Sequence, residues 1–199
     1  MVALGRPVSL NRQYIANLSL KYYWKQGLNN ISYNDIIRST KFSKGSFYKL
    51  FSDQDDLHAE TLLCYYDYIR KFMYELSKCE DIFELLSYLY KKKYKHGMKY
   101  CYFFSCYSES YNVGKKSKKV LDDFKKEYKM ILSKIIRRHI DKKIHYTNHL
   151  NVKELTNYYF NSFIIVNLLK RNNAEKSEIN MYTKTLLRFT SNLSQKPKA

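Results

Sequence analysis

The sequence contains little of the two residues that most often interrupt helices, with 2 prolines and 5 glycines among 199 residues. It also contains no run in which polar and apolar residues alternate between turn dipeptides, the pattern typical of hairpin strands. These absences predict an all-α chain, and the helix starts and breaks described below bring the expected number to about nine helices. A chain of this length can form a first domain of about 50 residues and a second domain with a hydrophobic core of its own.

A membrane-spanning run is also absent. The longest nearly continuous apolar stretch, Phe163 to Leu169, is interrupted by Asn167 and is far shorter than the roughly 20 residues that a spanning helix needs. The first residues include no apolar signal-peptide region. We therefore expect a cytoplasmic protein without membrane contact.

Residue patterns that carry catalysis or bind metals are missing. The sequence shows no nucleophile–base set, phosphate-cradling glycine loop or paired carboxylates, so we expect no enzyme activity and no cofactor. His145 and His149 have the i, i+4 spacing that can place two metal ligands on one helical face, but no carboxylate or thiol partner is evident. We expect no metal site, although a sensing role for this pair stays open.

The cysteines form no Cys-x-x-Cys pair, and this favours reduced thiols in a core over a metal site. They are Cys64, Cys79, Cys101 and Cys106. A redox-sensing role for Cys101 or Cys106 is the alternative.

Positive charge is abundant, with a formal net charge of +18. Residues 1–58 hold only +4 of it, from eight Lys or Arg and four Asp or Glu. The lysine runs at 91–93 and 115–119 are therefore interpreted first as a solvated basic surface. Either way, the charge predicts a pull toward DNA that is independent of sequence and weakens with salt.

A helix-turn-helix is predicted by three helix starts within about 25 residues. Ser32 with Asp35 can satisfy free backbone N–H groups of a first turn, Ser43 can cap the next helix, and Asp53 with Asp56 can open a third. The helix after Ser43 would present small, hydroxylated, aromatic and basic side chains, which suit a DNA groove better than a core.

This segment and the helix before it resemble a known domain. The stretch from Gly5 to Leu57 is similar, in register and without gaps, to the DNA-binding domain of the tetracycline-repressor (TetR) family of bacterial regulators. The matching residues are Tyr23 and Gly27, Ser32 with Asp35-Ile36, Phe42-Ser43-Lys44-Gly45-Ser46-Phe47-Tyr48 with Phe51, and Asp55-Asp56-Leu57.

The resemblance implies a DNA-binding domain over residues 1–57, with the helix-turn-helix at about 32–51, and a helical effector-binding and dimerisation domain over 58–199. The residues expected to contact DNA include a basic arm that would enter the minor groove and the exposed start of the recognition helix. They are Arg6, Ser32, Ser43, Lys44, Gly45, Ser46, Tyr48 and Lys49.

Four positions depart from the family pattern, and one of them is Ile37, which replaces a common alanine and is expected to make the contact between the second and third helices bulkier. Lys41 stands where a turn glycine is common, so a side chain is expected in a left-handed conformation that costs roughly 1 kcal/mol. Leu50 and Gln54 stand where the family often carries His and Lys that reach phosphate. Those two phosphate contacts are expected to be missing or replaced.

Helices beyond the first domain are expected near 54–78, 81–95, 98–111, 117–141, 151–171 and 175–193, with breaks at Gly97, Gly114 and Asn172-Asn173. In the family, the last two helices pair with their copies as a four-helix dimer interface; the alternative is an ordinary hairpin within one chain. The residues assigned to the interface are Leu155, Tyr159, Ser162, Val166, Leu169, Ile179, Tyr182, Leu186, Phe189 and Leu193.

The middle of the chain is unusually aromatic, and in the family this region holds an effector pocket. Most of these rings are interpreted as core. Rings alternating with small polarizable groups near residues 100–107 are the best match to a pocket wall. The residues assigned to the pocket are Tyr65, Tyr68, Phe72, Tyr102, Phe103, Cys106 and Tyr107.

Together these features predict a homodimeric, sequence-specific transcriptional regulator, in first place a repressor released from a palindromic operator by a small molecule. Control by a protein partner is the alternative on the same scaffold. A basic protein that binds nucleic acid without sequence preference is the alternative from another class.

Overall fold

The computed structural model describes residues 11–28, 30–143 and 151–192, and over these ranges the chain is helical without strands. The helices are α1 (Arg12–Gln26), α2 (Tyr33–Thr40), α3 (Lys44–Leu50), α4 (Gln54–Ser77), α5 (Ile82–Lys91), α6 (Tyr102–Tyr107), α7 (Lys115–Lys143), α8 (Val152–Arg171) and α9 (Lys176–Asn192). Short 3-10 turns at Lys95–Gly97 and Ser110–Asn112 flank α6. The all-α prediction is confirmed.

The two helices of the motif, α2 and α3, start where the sequence predicts. Ser32 and Asp35 form a reciprocal capping box at the start of α2, and the hydroxyl of Ser43 accepts from the backbone N–H of Ser46 at the start of α3. Lys41 ends α2 in a left-handed conformation with φ 59°. The expected strained turn is thus present between the two helices of the motif.

The longest buried stripe of the first half belongs to α4. Asp53 caps this helix by accepting from the backbone N–H of Asp56 at 2.8 Å. Its buried side chains, which include Leu57, Leu62 and Ile69, pack between α1 on one side and α7 on the other. One continuous helix therefore runs from the helix-turn-helix into the second half of the chain.

The second half is a bundle in which α7 and α8 pack together and α6 lies against both. Its interior is filled by rings: Phe103 stacks on Phe124 with 3.9 Å between the ring centres, and Phe104 meets Phe160 edge to face. Aromatic pairs in these arrangements add to the stability that burial of their area supplies.

Two helices are shorter than the sequence suggests. The expected helices at 81–95 and 98–111 contract to α5 and α6, because the chain between them turns through left-handed residues, His96 at φ 57° and Gly97 at φ 69°. The predicted breaks at Gly97, Gly114 and Asn172-Asn173 are confirmed.

The structure agrees with two expectations from the sequence, one about the cysteines and one about membrane-spanning helices. All four cysteines are buried and unbridged, and burial raises the pKa of the Cys64 and Cys79 thiols to about 11. Among the described residues, no helix is both long and apolar enough to cross a membrane.

Candidate nucleic-acid interface

Helix α3 carries most of the residues predicted to contact DNA and turns them outward. Lys44, Gly45 and Lys49 are exposed, and the Tyr48 side chain is 55% exposed. Phe47, the single fully buried side chain of this short helix, anchors it to the core. The outward face of α3 therefore combines two amino groups, one phenol and a gap at Gly45.

The space beside Gly45 is not filled by any other described part of the protein. A Cβ placed on Gly45 would meet no protein atom within 4 Å, and the residue does not have a positive φ. The backbone of α3 therefore does not require glycine for its own conformation. What the missing side chain provides is close access to the helix backbone from outside.

The position of α3 is set by a charge cluster at its C-terminal end. Arg12 of α1 donates to the Leu50 carbonyl and to Asp56 Oδ1, the latter at 2.9 Å. Its guanidinium also lies 4.7 Å from the centre of the Phe51 ring. The Arg12 hydrogen bond holds the pKa of Asp56 well below its usual range, so the carboxylate is charged at neutral pH.

The two capping serines are exposed but already have partners. Ser32 Oγ donates to Asp35 Oδ2 at 2.6 Å, and Ser43 Oγ lies 2.8 Å from Ser46 Oγ. They fix where α2 and α3 begin, and any contact of theirs with a phosphate would be shared with these bonds. Arg6 lies outside the described residues.

The two departures from the family pattern have internal roles. The Gln54 amide donates to the Ile31 carbonyl at 3.2 Å, and Leu50 is partly buried against the core. Neither side chain extends freely toward solvent. The loss of these two phosphate contacts stays a prediction from the sequence, whereas the internal packing of both side chains is visible only in the structure.

The residues assigned to an effector pocket largely fill the interior. Tyr65, Tyr102, Phe103 and Cys106 are buried, and the ring centres of Tyr65 and Phe103 lie 5.2 Å apart. The other three, Tyr68, Phe72 and Tyr107, are partly buried and pack against the same core. These contacts support the interpretation of most of the rings as core.

A buried polar network lies beside these rings, and the sequence did not predict it. His58 of α4 is 1% exposed; its Nδ1 lies 2.9 Å from Ser117 Oγ and its Nε2 lies 2.8 Å from Tyr102 Oη. Burial lowers the pKa of His58 to about 3. The available signal was a histidine inside the apolar stripe of α4, next to Leu57.

A second unanticipated feature joins the two halves of the chain. Arg171, at the end of α8, pairs with Glu109, and both side chains are largely buried. Glu109 Oε2 accepts from the backbone N–H of Leu28 at 2.8 Å, just after α1. Nearby, Trp24 Nε1 donates to the Tyr100 carbonyl at 3.1 Å, and Tyr100 Oη donates back to the Trp24 carbonyl at 2.6 Å.

The predicted dimer stripe requires a correction. Leu155, Tyr159, Ser162 and Leu186 are 0 to 3% exposed within a single chain, because α8 turns that face toward α7 and α9. These four residues are core and are not available to a partner. Leu193 lies outside the described residues.

A neighbouring face of the same two helices is exposed and apolar. Leu169, Tyr182 and Phe189, which the sequence also assigns to the interface, are partly exposed. Beside them lie four large apolar side chains with 36 to 64% exposure: Tyr158, Ile165, Leu168 and Met181. Val166 and Ile179 are partly exposed too, but they line grooves toward α5 and the segment that follows it.

Comparison with solved structures identifies the architecture. The regulatory protein TetR from Rhodobacter sphaeroides matches with a TM-score of 0.73 and 14% identity, over 90% of this chain and 98% of that chain. A TetR-family transcriptional regulator from Cytophaga hutchinsonii matches with 0.73 and 17%, over 93% and 95%. The ketosteroid transcriptional regulator KstR2 of Mycobacterium tuberculosis matches with 0.65 and 13%, over 95% and 97%.

No family model and no curated protein matches the sequence. The agreement is therefore one of three-dimensional structure, and it extends over nearly the whole of both chains. The chain has the fold of the TetR-family transcriptional regulators, as the resemblance of residues 5–57 implies.

Proposed function

We propose that this protein is a sequence-specific DNA-binding transcriptional regulator of the TetR type that acts as a homodimer. The observation that carries the proposal is the outward face of α3. Lys44, Tyr48 and Lys49 project from a helix whose position is fixed by the buried Phe47, and none of the three is buried. The N-terminal part of a recognition helix is the part that reaches base edges in the major groove.

Lys44 and Lys49 are assigned to hydrogen bonds with guanine O6 and N7, and Tyr48 to a phosphate or a thymine methyl group. Because Gly45 has no side chain and that of Ser46 is small, DNA can approach the backbone of α3 closely. Lys49→Ala is expected to cost about 1–3 kcal/mol of binding free energy and to relax preference at one position of each half-site. An equal loss on all sequences would instead make Lys49 a phosphate contact.

The second copy is proposed to pack on the exposed face of α8 and α9 formed by Tyr158, Ile165 and Leu168 with Tyr182 and Phe189. The rings of Tyr158 and Phe189 already contact each other, with centres 4.5 Å apart. A palindromic site requires that the two-fold axis through this face place both copies of α3 on one side of the dimer.

The direct test compares DNA upstream of the protein's own gene with shuffled DNA of equal composition at about 0.15 M salt. A sequence-specific regulator should prefer the first by roughly a thousandfold or more. Equal binding to both, falling steeply with salt, would support the alternative of a basic protein without sequence preference.

We further propose that the regulator is a repressor and that a small-molecule effector releases it; release by a protein partner is the alternative.

A further inference from the structure

A lysine-lined cleft opens between the segment that follows α5 and the turn that joins α8 to α9. Its volume is about 720 Å³, within the range of pockets that hold drug-sized ligands. Five amino groups line it, and none of its lining residues, all of them described, is Asp or Glu. The lysines are Lys92, Lys93, Lys99, Lys170 and Lys176.

Two of these lysines are partly buried against rings. Lys92 Nζ lies 4.2 Å from the centre of the Phe72 ring and 5.7 Å from that of Tyr94, and Lys170 Nζ lies 6.0 Å from that of Tyr90. Burial lowers the pKa of both amino groups. Within the described parts of the chain, neither amino group forms an ion pair with a carboxylate, so their charge is partly desolvated without a counterion.

The remaining walls are aromatic or apolar. Tyr90 and Tyr94 contribute rings, and Met98 and Ile179 contribute aliphatic groups. A ligand that fills this cleft must therefore pair with amino groups at one end and cover apolar surface at the other. Polar anchors that fix the orientation of an otherwise apolar contact are typical of small-molecule sites.

We propose that this cleft binds a small organic anion, a carboxylate on an aromatic or apolar body, with Lys92 and Lys170 as its charge partners. Charge-assisted hydrogen bonds to a carboxylate are the strong ones. The exposed Lys93, Lys99 and Lys176 would raise the local concentration of anions at the rim.

The cleft contacts two features that connect the two halves of the chain, helix α4 and the contact of Arg171 with Glu109. Lys92 lies over Phe72 and, at 5.4 Å, over Tyr68 of α4, and Lys170 directly precedes Arg171, which holds Glu109 and through it Leu28. A ligand that draws these two lysines together would act on α4 and on the end of α8 at once. That regulatory consequence rests on the proposed function, whereas binding itself does not.

The test uses three probes with one ring system and different charge: 2-naphthoate, neutral 2-naphthamide and cationic 2-naphthylmethylammonium. Calorimetric titration of the full chain without DNA should give a Kd for naphthoate at least about tenfold lower than for the amide, with the ammonium weakest of all. Lys170→Gln should remove that preference, and Lys170→Arg should keep it. Lys153→Gln, an exposed lysine at the other end of α8, should change nothing.

The proposal is overturned if naphthoate does not bind at concentrations up to about 5 mM, if the amide binds equally well, or if Lys170→Gln and Lys153→Gln behave alike. Thermal unfolding of each variant establishes that it is folded. Naphthoate is then added to the complex with upstream DNA, where release is expected. A protein that prefers no DNA sequence yet keeps its charge-selective naphthoate binding would refute the proposed function and leave the cleft assignment intact.

Discussion

At Gly45, the stability of the fold and the proposed DNA binding are expected to respond in opposite ways to an added side chain. Alanine in a helix is more stable than glycine by about 0.5–1 kcal/mol, and a Cβ at Gly45 meets nothing in the protein. Gly45→Ala is therefore expected to raise the free energy of unfolding while weakening operator binding about tenfold or more, because the methyl group holds DNA away from α3.

Urea unfolding and DNA titration on the same preparation measure both quantities. Ser87→Ala, a small change on an exposed residue of α5, is the matched control and should leave DNA affinity unchanged. A Gly45→Ala protein that binds DNA as tightly as the parent would place the DNA contact away from this helix.

His58 gives the stability a pH dependence whose sign follows from its pKa. The folded-state pKa is lowered to about 3 from 6.5, so between these values the unfolded chain binds a proton that the folded chain does not. Stability should therefore fall as the pH falls below 6.5, by up to about 1.4 kcal/mol per pH unit. Asp56, whose pKa is also lowered, loses its contribution only at lower pH.

Urea unfolding at pH 7.5, 6.0 and 5.0 measures this slope. His58→Gln removes the titrating group while its amide can still meet Ser117 or Tyr102, and the slope between pH 6.5 and 5 should become markedly flatter. If parent and variant have the same slope, the buried imidazole is not the source of the acid sensitivity.

Sequence patterns predict local features at this scale and miss distant ones. Ser32, Ser43 and Asp53 are recognisable because a cap and its partner lie three residues apart. The partners of His58, by contrast, are Tyr102 and Ser117, 44 and 59 positions along the chain. Such pairings depend on how the helices pack, and no short sequence motif predicts them.

At the scale of helices, the pair Arg171–Glu109 ties the end of α8 to the end of α1. Removing one member of a buried pair is strongly destabilising, by about 3–5 kcal/mol in fully buried cases. Since both side chains here keep slight exposure, Arg171→Met is expected to cost about 3 kcal/mol at most.

The double variant Arg171→Met with Glu109→Gln should recover most of that loss, because the Gln carbonyl oxygen can still accept from the Leu28 N–H and no charge is left unpaired. Urea unfolding of the two single variants and the double variant measures the coupling. Additive losses would mean that the pair does not act as a unit.

The exposed face of α8 and α9 is the surface that we propose to pair with a second copy. Ile165 is 41% exposed in one chain, so Ile165→Glu should leave the monomer folded and yet place a charge in an apolar contact between copies. Light scattering should then detect monomers, and operator binding should fall sharply because two half-sites are no longer engaged together.

Met130→Glu is the matched control, since Met130 is an apolar residue of α7 that is 51% exposed, and this change should leave the dimer unchanged. An Ile165→Glu protein that remains dimeric would place the interface on another surface.

Helical periodicity identifies α8 as apolar on more than one side. It does not indicate which side faces the chain's own core, and the interface stripe inferred from sequence is partly core for that reason.

For the molecule as a whole, fold and function are recognisable from unequal parts of the sequence. The motif of residues 5–57 predicts the architecture of the entire chain because one helix arrangement commonly accompanies it. The second half offers only helical periodicity and aromatic content, so the lysine-lined cleft and the contacts between the two halves of the chain become visible only when distant segments are brought together.

Whether the protein reads DNA sequence as a dimer is decided by selecting binding sites from a random DNA pool at about 0.15 M salt. We expect one enriched sequence with two inverted half-sites, their centres about 34–36 Å apart or a multiple of it. We also expect Lys49→Ala to lose preference at one matching position in each half. Recovery of no enriched sequence, or of one without two-fold symmetry, would contradict a dimeric reader of DNA sequence.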